Sequence, residues 1–308
     1  MGVVQVIAER EFADSVRSRR FLLVLLVTAA IFALNLSFLS FTARMASLSL
    51  SDIFVHNVLS NLSFLAGILG VALGFAAISG EREKGTLKLV LVRPVRRDHV
   101  LLGKTLGAAA LILVALYAGY IVLLGLGQAL YNLSLPGDSA LRGGIAVAFI
   151  ALYSMVFYAA ALFFSALARR SSQSMVAAIA FWLVVVLLIP VAASVVAISV
   201  AGPPPASPQG QADYWQRIQE IQASITGFTP EYSVNSIVNA LLGSPFQAVV
   251  SVSTGNATST LGPPPKAPLK PIPQALAGAG ASIATLIAWF AAPYAAAYAA
   301  FVLRKEEK

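Results

Sequence analysis

Few residues in this sequence of 308 are of types and spacings that could perform chemistry. Gly103-Lys104-Thr105 matches the end of a phosphate-binding loop, but Asp98 occupies the position where that loop requires a glycine. Asp52 and His56 lie one helical turn apart, and two ligands without a third make a poor metal site. The chain has no cysteine, no Gly-x-Ser-x-Gly and no His-Glu-x-x-His. We therefore expect no catalytic residues, no metal site and no cofactor bound by this chain.

The composition predicts a protein that lies in a lipid bilayer. Hydrophobic residues make up 58% of the chain and charged residues 11%, with a mean hydropathy of +0.81. An ordinary soluble domain is about one quarter charged. Too few charged side chains are present to cover the surface of a soluble domain of this length. The sequence thus predicts an all-α integral membrane protein.

Six apolar runs reach the roughly 20 residues that a helix needs to cross a bilayer. They cover about 21–41, 58–79, 105–131, 143–167, 174–200 and 275–303. The first could be a cleaved signal peptide, but a segment of mixed charge from Glu9 to Arg20 precedes it and no small-x-small site follows. We therefore predict six transmembrane helices, with 1–20 as an amphipathic interfacial helix at the N-terminus.

The distribution of lysine and arginine predicts the orientation. Sixteen of the 21 basic residues fall in the N-terminal segment, the 79–104 loop, the turn at Arg169-Arg170 and the C-terminal tail. The other five lie in the alternate loops: Arg44, Arg142, Arg217, Lys266 and Lys270. Because basic loops stay inside, both termini are expected to be cytoplasmic, in the plasma membrane. The net charge of +8 is then a topology signal, and we expect no nucleic-acid partner.

Within the six predicted spans there is no Asp or Glu, which counts against an ion-coupled carrier or an intramembrane protease. Two pairs of glycines at a spacing of four, Gly70 with Gly74 and Gly103 with Gly107, allow close approach of helices. We expect them to pack helices within one bundle. Pro190 and Pro293 predict kinks in the fifth and sixth helices.

Residues 201–274 form a Pro-rich segment predicted to lie outside the cytoplasm. Clusters at Gly202–Pro205 and Gly262–Pro265 bracket it and stop helices. Between them, apolar and aromatic side chains recur at helical spacing from Tyr214 to Ile225. This pattern predicts a surface helix packed on the outer ends of the spans. A lid that handles substrate is the alternative.

The cytoplasmic loop 79–104 is denser in charge than a simple anchor requires. Alternating charges follow Ser79-Gly80, Arg93-Pro94 breaks the chain, and Asp98 is placed to cap the next helix. The pattern predicts a short amphipathic helix against the cytoplasmic face, suited to dock another protein.

The motifs of this loop resemble the loop after the second helix of ABC type-2 permeases, the membrane subunits of ATP-binding-cassette exporters. They are Ser79-Gly-Glu-Arg-Glu-Lys-Gly-Thr-Leu87, Arg93-Pro-Val-x-Arg97 and Leu101-Leu-Gly-Lys-x-Leu-Gly107. The N-terminal segment with Glu11-Phe12, and the last helix with Trp289, are similar to that family too. The likeness covers nearly the whole chain except the longer 201–274 segment.

The resemblance implies two permease subunits, identical or related, around a central pathway, with two separate cytoplasmic ATPase subunits that bind ATP and Mg. Loop 79–104 would be the short coupling helix and its surroundings. The residues implied in the ATPase contact are Glu81, Arg82, Glu83, Lys84, Gly85, Thr86, Arg93 and Arg97.

Two other classes remain open on sequence alone. One is a secondary transporter or channel that works without ATP. The other is a membrane scaffold or enzyme whose 201–274 segment holds an extracytoplasmic partner. The sequence predicts four segments in the chain: the N-terminal segment 1–20, transmembrane spans one to five over 21–200, the outer segment 201–274, and 275–308 with the sixth span and the tail.

Overall fold

Apolar helices make up most of the computed structural model, which describes residues 3–16, 50–85, 96–131, 137–205, 208–243 and 269–303. The helices, in chain order, are α1 Val3–Val16, α2 Leu50–Gly74, α3 Ser79–Glu83, α4 Arg97–Tyr131, α5 Gly137–Leu167, α6 Ser171–Leu183, α7 Ile189–Ala201, α8 Pro208–Thr226, α9 Pro230–Leu242, α10 Ile272–Gly278 and α11 Gly280–Tyr298. No strand occurs in the described ranges, so the all-α prediction is confirmed there.

Five stretches of helix are long and apolar enough to cross a membrane. They are Phe54–Glu83, Arg97–Leu130, Gly137–Leu167, Ser171–Ala201 and Gly280–Val302, and they match five of the six predicted spans. The remaining predicted span, 21–41, lies outside the described residues. Helix α4 begins at Arg97, several residues before the predicted span, and Asp98 lies in its first turn. A carboxylate there is favourable because it faces the positive end of the helix dipole.

Helix α5 is the centre of the bundle. The apolar window of its span is 78% buried, and that of the α2–α3 span is 67% buried. The windows of Ser171–Ala201 and Gly280–Val302 are each only 17% buried. Inside the bundle lie large side chains such as Phe54, Tyr153, Phe157 and Tyr158. The two mostly uncovered spans therefore present apolar surface to whatever surrounds the chain.

Glycines set the distance between α2 and α5. A Cβ placed on Gly70 would lie 2.1 Å from the carbonyl oxygen of Ser154, and one on Gly74 would lie 2.7 Å from the Tyr158 carbonyl oxygen. Contacts this short are impossible for a real Cβ, so the two backbones pack where only glycine fits. The structure places this pair at a helix contact inside one chain.

A wider turn precedes the proline of the fifth predicted span. Residues Val184–Leu188 form one π-helical turn, and Pro190 is the second residue of α7. A proline ring in a regular helix would clash with the carbonyl four residues earlier, here that of Val186. The π-turn separates α6 from α7 and accommodates the proline.

The segment after α7 folds into two helices against the bundle. Helix α8 lies along α7, where Ile218 is buried, Tyr214 Oη donates to the Gly202 carbonyl at 2.9 Å and Gln222 Nε2 donates to Ser194 Oγ at 3.2 Å. Helix α9 packs against α5, α11 and α2. Residues 244–268, which include the second proline cluster, lie outside the described residues.

Arg142, near the start of α5, joins this segment to the bundle. The side chain is 7% exposed and Nε donates to Asp138 Oδ2 at 2.7 Å. Nη1 donates to the carbonyl oxygens of Leu241 at 3.1 Å and Lys270 at 2.9 Å. Since helix C-termini leave carbonyls without intrahelical partners, one buried guanidinium here satisfies the end of α9 and the chain before α10. We call this end of the bundle the Arg142 face.

Candidate functional site

The opposite end of the bundle, which we call the Lys104 face, brings together residues 79–85, 96–104, 166–171 and Phe301. These segments are far apart in the chain and meet because the spans alternate in direction. The residues predicted to contact an ATPase lie here, apart from Thr86 and Arg93, which fall outside the described residues. Each of the others can be described by its contacts within the chain.

Lys104 is held between two carboxylates from different elements. Its side chain is 6% exposed, and Nζ lies 2.5 Å from Glu11 Oε1 of α1 and 2.7 Å from Glu81 Oε1 of α3. The carboxylates are 30% and 26% exposed. A buried ammonium needs such counter-charges, because desolvation would otherwise disfavour its charged form. The ion pairs tie α1, α3 and α4 together.

Glycines bring α1 close enough for this arrangement. A Cβ on Gly103 would lie 2.7 Å from the Ile7 Cβ, and one on Gly107 would lie 2.8 Å from the Ala8 carbonyl oxygen. Helix α1 therefore packs on the small-residue face of α4, and Glu11 comes within reach of Lys104. The N-terminal helix is thus fastened to the bundle by packing and by charge.

Arg82 covers the end of α5. Its Nη1 donates to the Ala168 carbonyl at 2.5 Å, and its Nη2 donates to the Ala166 carbonyl at 3.2 Å. A cation at a helix C-terminus is favourable both for hydrogen bonding and for the helix dipole. Arg82 thereby holds α3 against the turn between α5 and α6.

Ser165 supports the same junction from inside. The helical ladder is interrupted between α2 and α3, and Ser165 Oγ accepts hydrogen bonds from the backbone N–H groups of Ile78 at 3.0 Å and Ser79 at 2.9 Å. Buried backbone donors rarely remain unpaired because the cost is high. The serine of α5 therefore stabilises the interruption between α2 and α3.

Glu83 makes a third connection, to α6. Its Oε2 accepts from Ser171 Oγ at 2.7 Å and from the Ser171 backbone N–H at 3.2 Å. The first N–H groups of a helix have no intrahelical acceptor, so this carboxylate caps α6 from another element. Glu81, Arg82 and Glu83 thus contact three different parts of the bundle.

The chain then leaves the bundle surface. Lys84 and Gly85 are exposed, and Gly85 has φ +71°, a left-handed conformation that glycine adopts without strain. Arg97, at the start of α4, donates from Nη1 to the Phe301 carbonyl at 3.3 Å. Glu83, Lys84 and Gly85 are the exposed residues of this part of the predicted contact, and Lys84-Gly85 is its tip.

Several of these partners are not evident from sequence. A lysine near the entrance of a span often extends toward the membrane interface, but Lys104 is buried in ion pairs. Glu11 is 93 positions from it in the chain, and no local spacing connects the two. Ser165, Ser171 and Arg142 belong to no sequence motif. They could have been suggested only by asking which loops lie at the same end of the bundle.

Five apolar helices of spanning length, packed in one bundle with a charged face, define a polytopic membrane protein. The chain belongs to the ABC-2 family of transporter proteins, whose sequence profile matches residues 5–306. The resemblance inferred from loop 79–104 is therefore confirmed at the level of the family.

Two curated relatives carry the same description, "Probable ABC transporter permease protein NosY". The protein from Pseudomonas aeruginosa is 33% identical over 120 residues, and that from Stutzerimonas stutzeri is 32% identical over 122 residues. Each match covers 39% of this chain and 44% of the relative. The matched region therefore spans less than half the length of these relatives.

Proposed function

We propose that this chain is the permease subunit of an ABC exporter and that separate ATPase subunits dock on its Lys104 face. Family membership and the names of the two relatives support a permease. The observation that carries the docking site is the run Glu81–Lys84, in which three successive charged residues contact three different elements and the fourth is exposed.

The contacts suggest how force would pass from an ATPase to the spans. A displacement of α3 would pull on Lys104 and α1 through Glu81, on the end of α5 through Arg82, and on the start of α6 through Glu83. Packed elements joined by charged hydrogen bonds move as units rather than deform continuously. A push at the exposed Lys84-Gly85 tip would therefore reach four helices.

The charge distribution supports a cytoplasmic position for the Lys104 face. Basic residues of the described chain gather there: Arg82, Lys84, Arg96, Arg97, Lys104, Arg169 and Arg170. Those at the Arg142 face are Arg142, Arg217 and Lys270. By the positive-inside rule the Lys104 face would contact the cytoplasm and α8 and α9 would lie outside. A second permease copy would cover part of the apolar surface of α6, α7 and α11.

Site-specific photo-crosslinking in native membranes tests this proposal. A benzophenone amino acid at position 84 should give an adduct with a protein that contains a phosphate-binding loop and hydrolyses ATP. The same group at Arg217, exposed on α8, is the matched control and should give none. Absence of an ATPase adduct from position 84, or an equal yield from position 217, would favour an ATP-independent transporter or a scaffold.

A further inference from the structure

A cavity lined by polar and apolar side chains lies between α2, α5, α9 and the π-helical turn Val184–Leu188. Its volume is about 230 Å³. This is below the roughly 300–1,000 Å³ of pockets for drug-sized ligands, so it suits a small molecule. The polar groups that line it are Ser60, Ser63, Tyr153, Glu231 and Asn235, with an apolar wall that includes Phe64.

Glu231 is placed in this cavity by the first turn of α9. Thr229 caps the helix, accepting from the Tyr232 backbone N–H at 3.2 Å, and Pro230 is the first helical residue. The Glu231 Oε2 atom is buried and has no hydrogen-bond partner among the described residues. A carboxylate oxygen that is removed from water without a donor is costly. The cavity therefore offers an acceptor that lacks a donor.

The neighbours of Glu231 do not neutralise it. The residues that line the cavity include no Lys, Arg or His. Ser63 Oγ already donates to the Leu59 carbonyl at 3.0 Å. Burial raises the pKa of Glu231 to about 7, as expected for a carboxyl group that no cation stabilises. The cavity has one carboxyl group and no basic side chain, and it therefore favours a positive ligand over an anion.

The lining also indicates the kind of cation. Phe64 and Tyr153 bring aromatic rings to the wall, and aromatic faces attract ammonium and guanidinium groups. Divalent metals usually require several carboxylates or imidazoles, and no group of three His, Cys, Asp or Glu occurs in the part of the chain that the structure describes. An N–H of an organic cation would supply the donor that Oε2 lacks.

We propose that the cavity between α2, α5 and α9 binds a small organic cation, with the Glu231 carboxylate as its counter-ion and Phe64 and Tyr153 against its apolar part. The geometry of the cavity supports the binding site independently of the proposed function. The inference rests on that function only where it takes the cation to be the transported substrate. The serine hydroxyls and the Asn235 amide supply further hydrogen bonds for a polar head group.

Calorimetric titration of the purified permease in lipid nanodiscs tests the site. The probe is 2-phenylethylammonium, and 2-phenylethanol is its neutral counterpart. At pH 8 the wild-type protein should bind the ammonium at least tenfold more tightly than the alcohol. Glu231→Gln, which keeps the shape of the side chain and removes the charge, should abolish this difference. Glu220→Gln, on exposed α8, is the matched control and should preserve it.

Three outcomes would overturn the proposal: equal binding of the two probes by the wild type, unchanged preference in Glu231→Gln, or displacement of the ammonium by sodium at the same concentration. The comparison of the two probes on the wild-type protein tests the proposal even if Glu231→Gln does not fold. Crosslinking at position 84 reports on the ATPase contact separately, so failure of cation binding leaves that proposal intact and the reverse also holds.

Discussion

The carboxylate of Glu83 caps the first turn of α6 by accepting from both the hydroxyl and the backbone N–H of Ser171, at 2.7 and 3.2 Å. The loop after the second predicted span is thereby attached to the start of the fifth. A charged side chain expected to face a partner protein also has a partner within its own chain.

Glu83→Lys should reduce the coupling between ATPase and permease without preventing insertion. Lysine cannot accept from Ser171, and its positive charge faces the positive end of the α6 dipole. We expect the permease-dependent part of ATP hydrolysis by the co-reconstituted complex to fall roughly tenfold, within the range of allosteric coupling. Glu83→Gln keeps an acceptor oxygen and should retain most of it. Unchanged coupling in Glu83→Lys would remove this contact from the mechanism.

Lys104→Met should destabilise the bundle by about 2 kcal/mol, because it leaves Glu11 and Glu81 without their shared cation. Removal of one partner of a fully buried pair costs roughly 3–5 kcal/mol, and these carboxylates are partly exposed. Thermal unfolding in detergent measures the loss. Lys84→Met is the exposed control and should unfold like the wild type. Adding Glu11→Gln and Glu81→Gln to Lys104→Met should recover part of the stability, and no recovery would argue against the charge explanation.

Gly70→Ala should destabilise the contact of α2 with α5 by roughly 2 kcal/mol or more, since the new methyl group meets the Ser154 carbonyl at 2.1 Å. Gly119→Ala in α4 is the matched control, because no atom lies within 4 Å of the Cβ it would add. Alanine favours helix over glycine by up to about 1 kcal/mol. Denaturation of the two variants in the same detergent should therefore shift in opposite directions, and equal shifts would contradict the packing.

Arg142→Met should loosen α9 from the bundle. It removes the donor shared by the Leu241 and Lys270 carbonyls, and it leaves the buried Leu241 carbonyl unsatisfied, which costs about 1–3 kcal/mol. Hydrogen exchange should rise in 230–242 and change little in α5. Arg217→Met, exposed on α8, provides the comparison, and similar exchange in the two variants would show that Arg142 does not hold the segment.

The stability of the protein should fall as the pH rises from about 4.5 to about 7. In this range the unfolded chain has Glu231 ionised, whereas the folded chain keeps it protonated because burial raises its pKa to about 7. The folded state then binds more protons, so the unfolding free energy decreases with pH, by on the order of 2 kcal/mol after allowance for partial exposure. Above pH 7 this contribution no longer changes.

Glu231→Gln should remove that slope when thermal unfolding is followed between pH 5 and pH 8. The helices packed on α9 contribute other titratable groups: Tyr153 on α5, which interacts electrostatically with Glu231, His56 on α2, and Tyr294 and Tyr298 on α11. Those groups remain in the variant. A slope of equal size in Glu231→Gln would assign the effect to one of them.

The order of the apolar spans and the family follow from the sequence by itself, because hydrophobic length and charge placement are local properties of a chain in a bilayer. Five predicted spans are helices of spanning length in the structure. The run of charged residues Glu81–Lys84 is also evident from the sequence, because its four residues are consecutive.

Tertiary structure alone decided which groups the buried charged side chains contact. Glu11 with Lys104, Arg82 with the end of α5, and Arg142 with Leu241 join positions that are 84 to 99 residues apart. Such pairs form because antiparallel packing brings distant helix ends onto one face, where their unpaired backbone groups and buried charges require partners. The cavity around Glu231 arises in the same way, from three helices that leave one carboxylate oxygen without a donor.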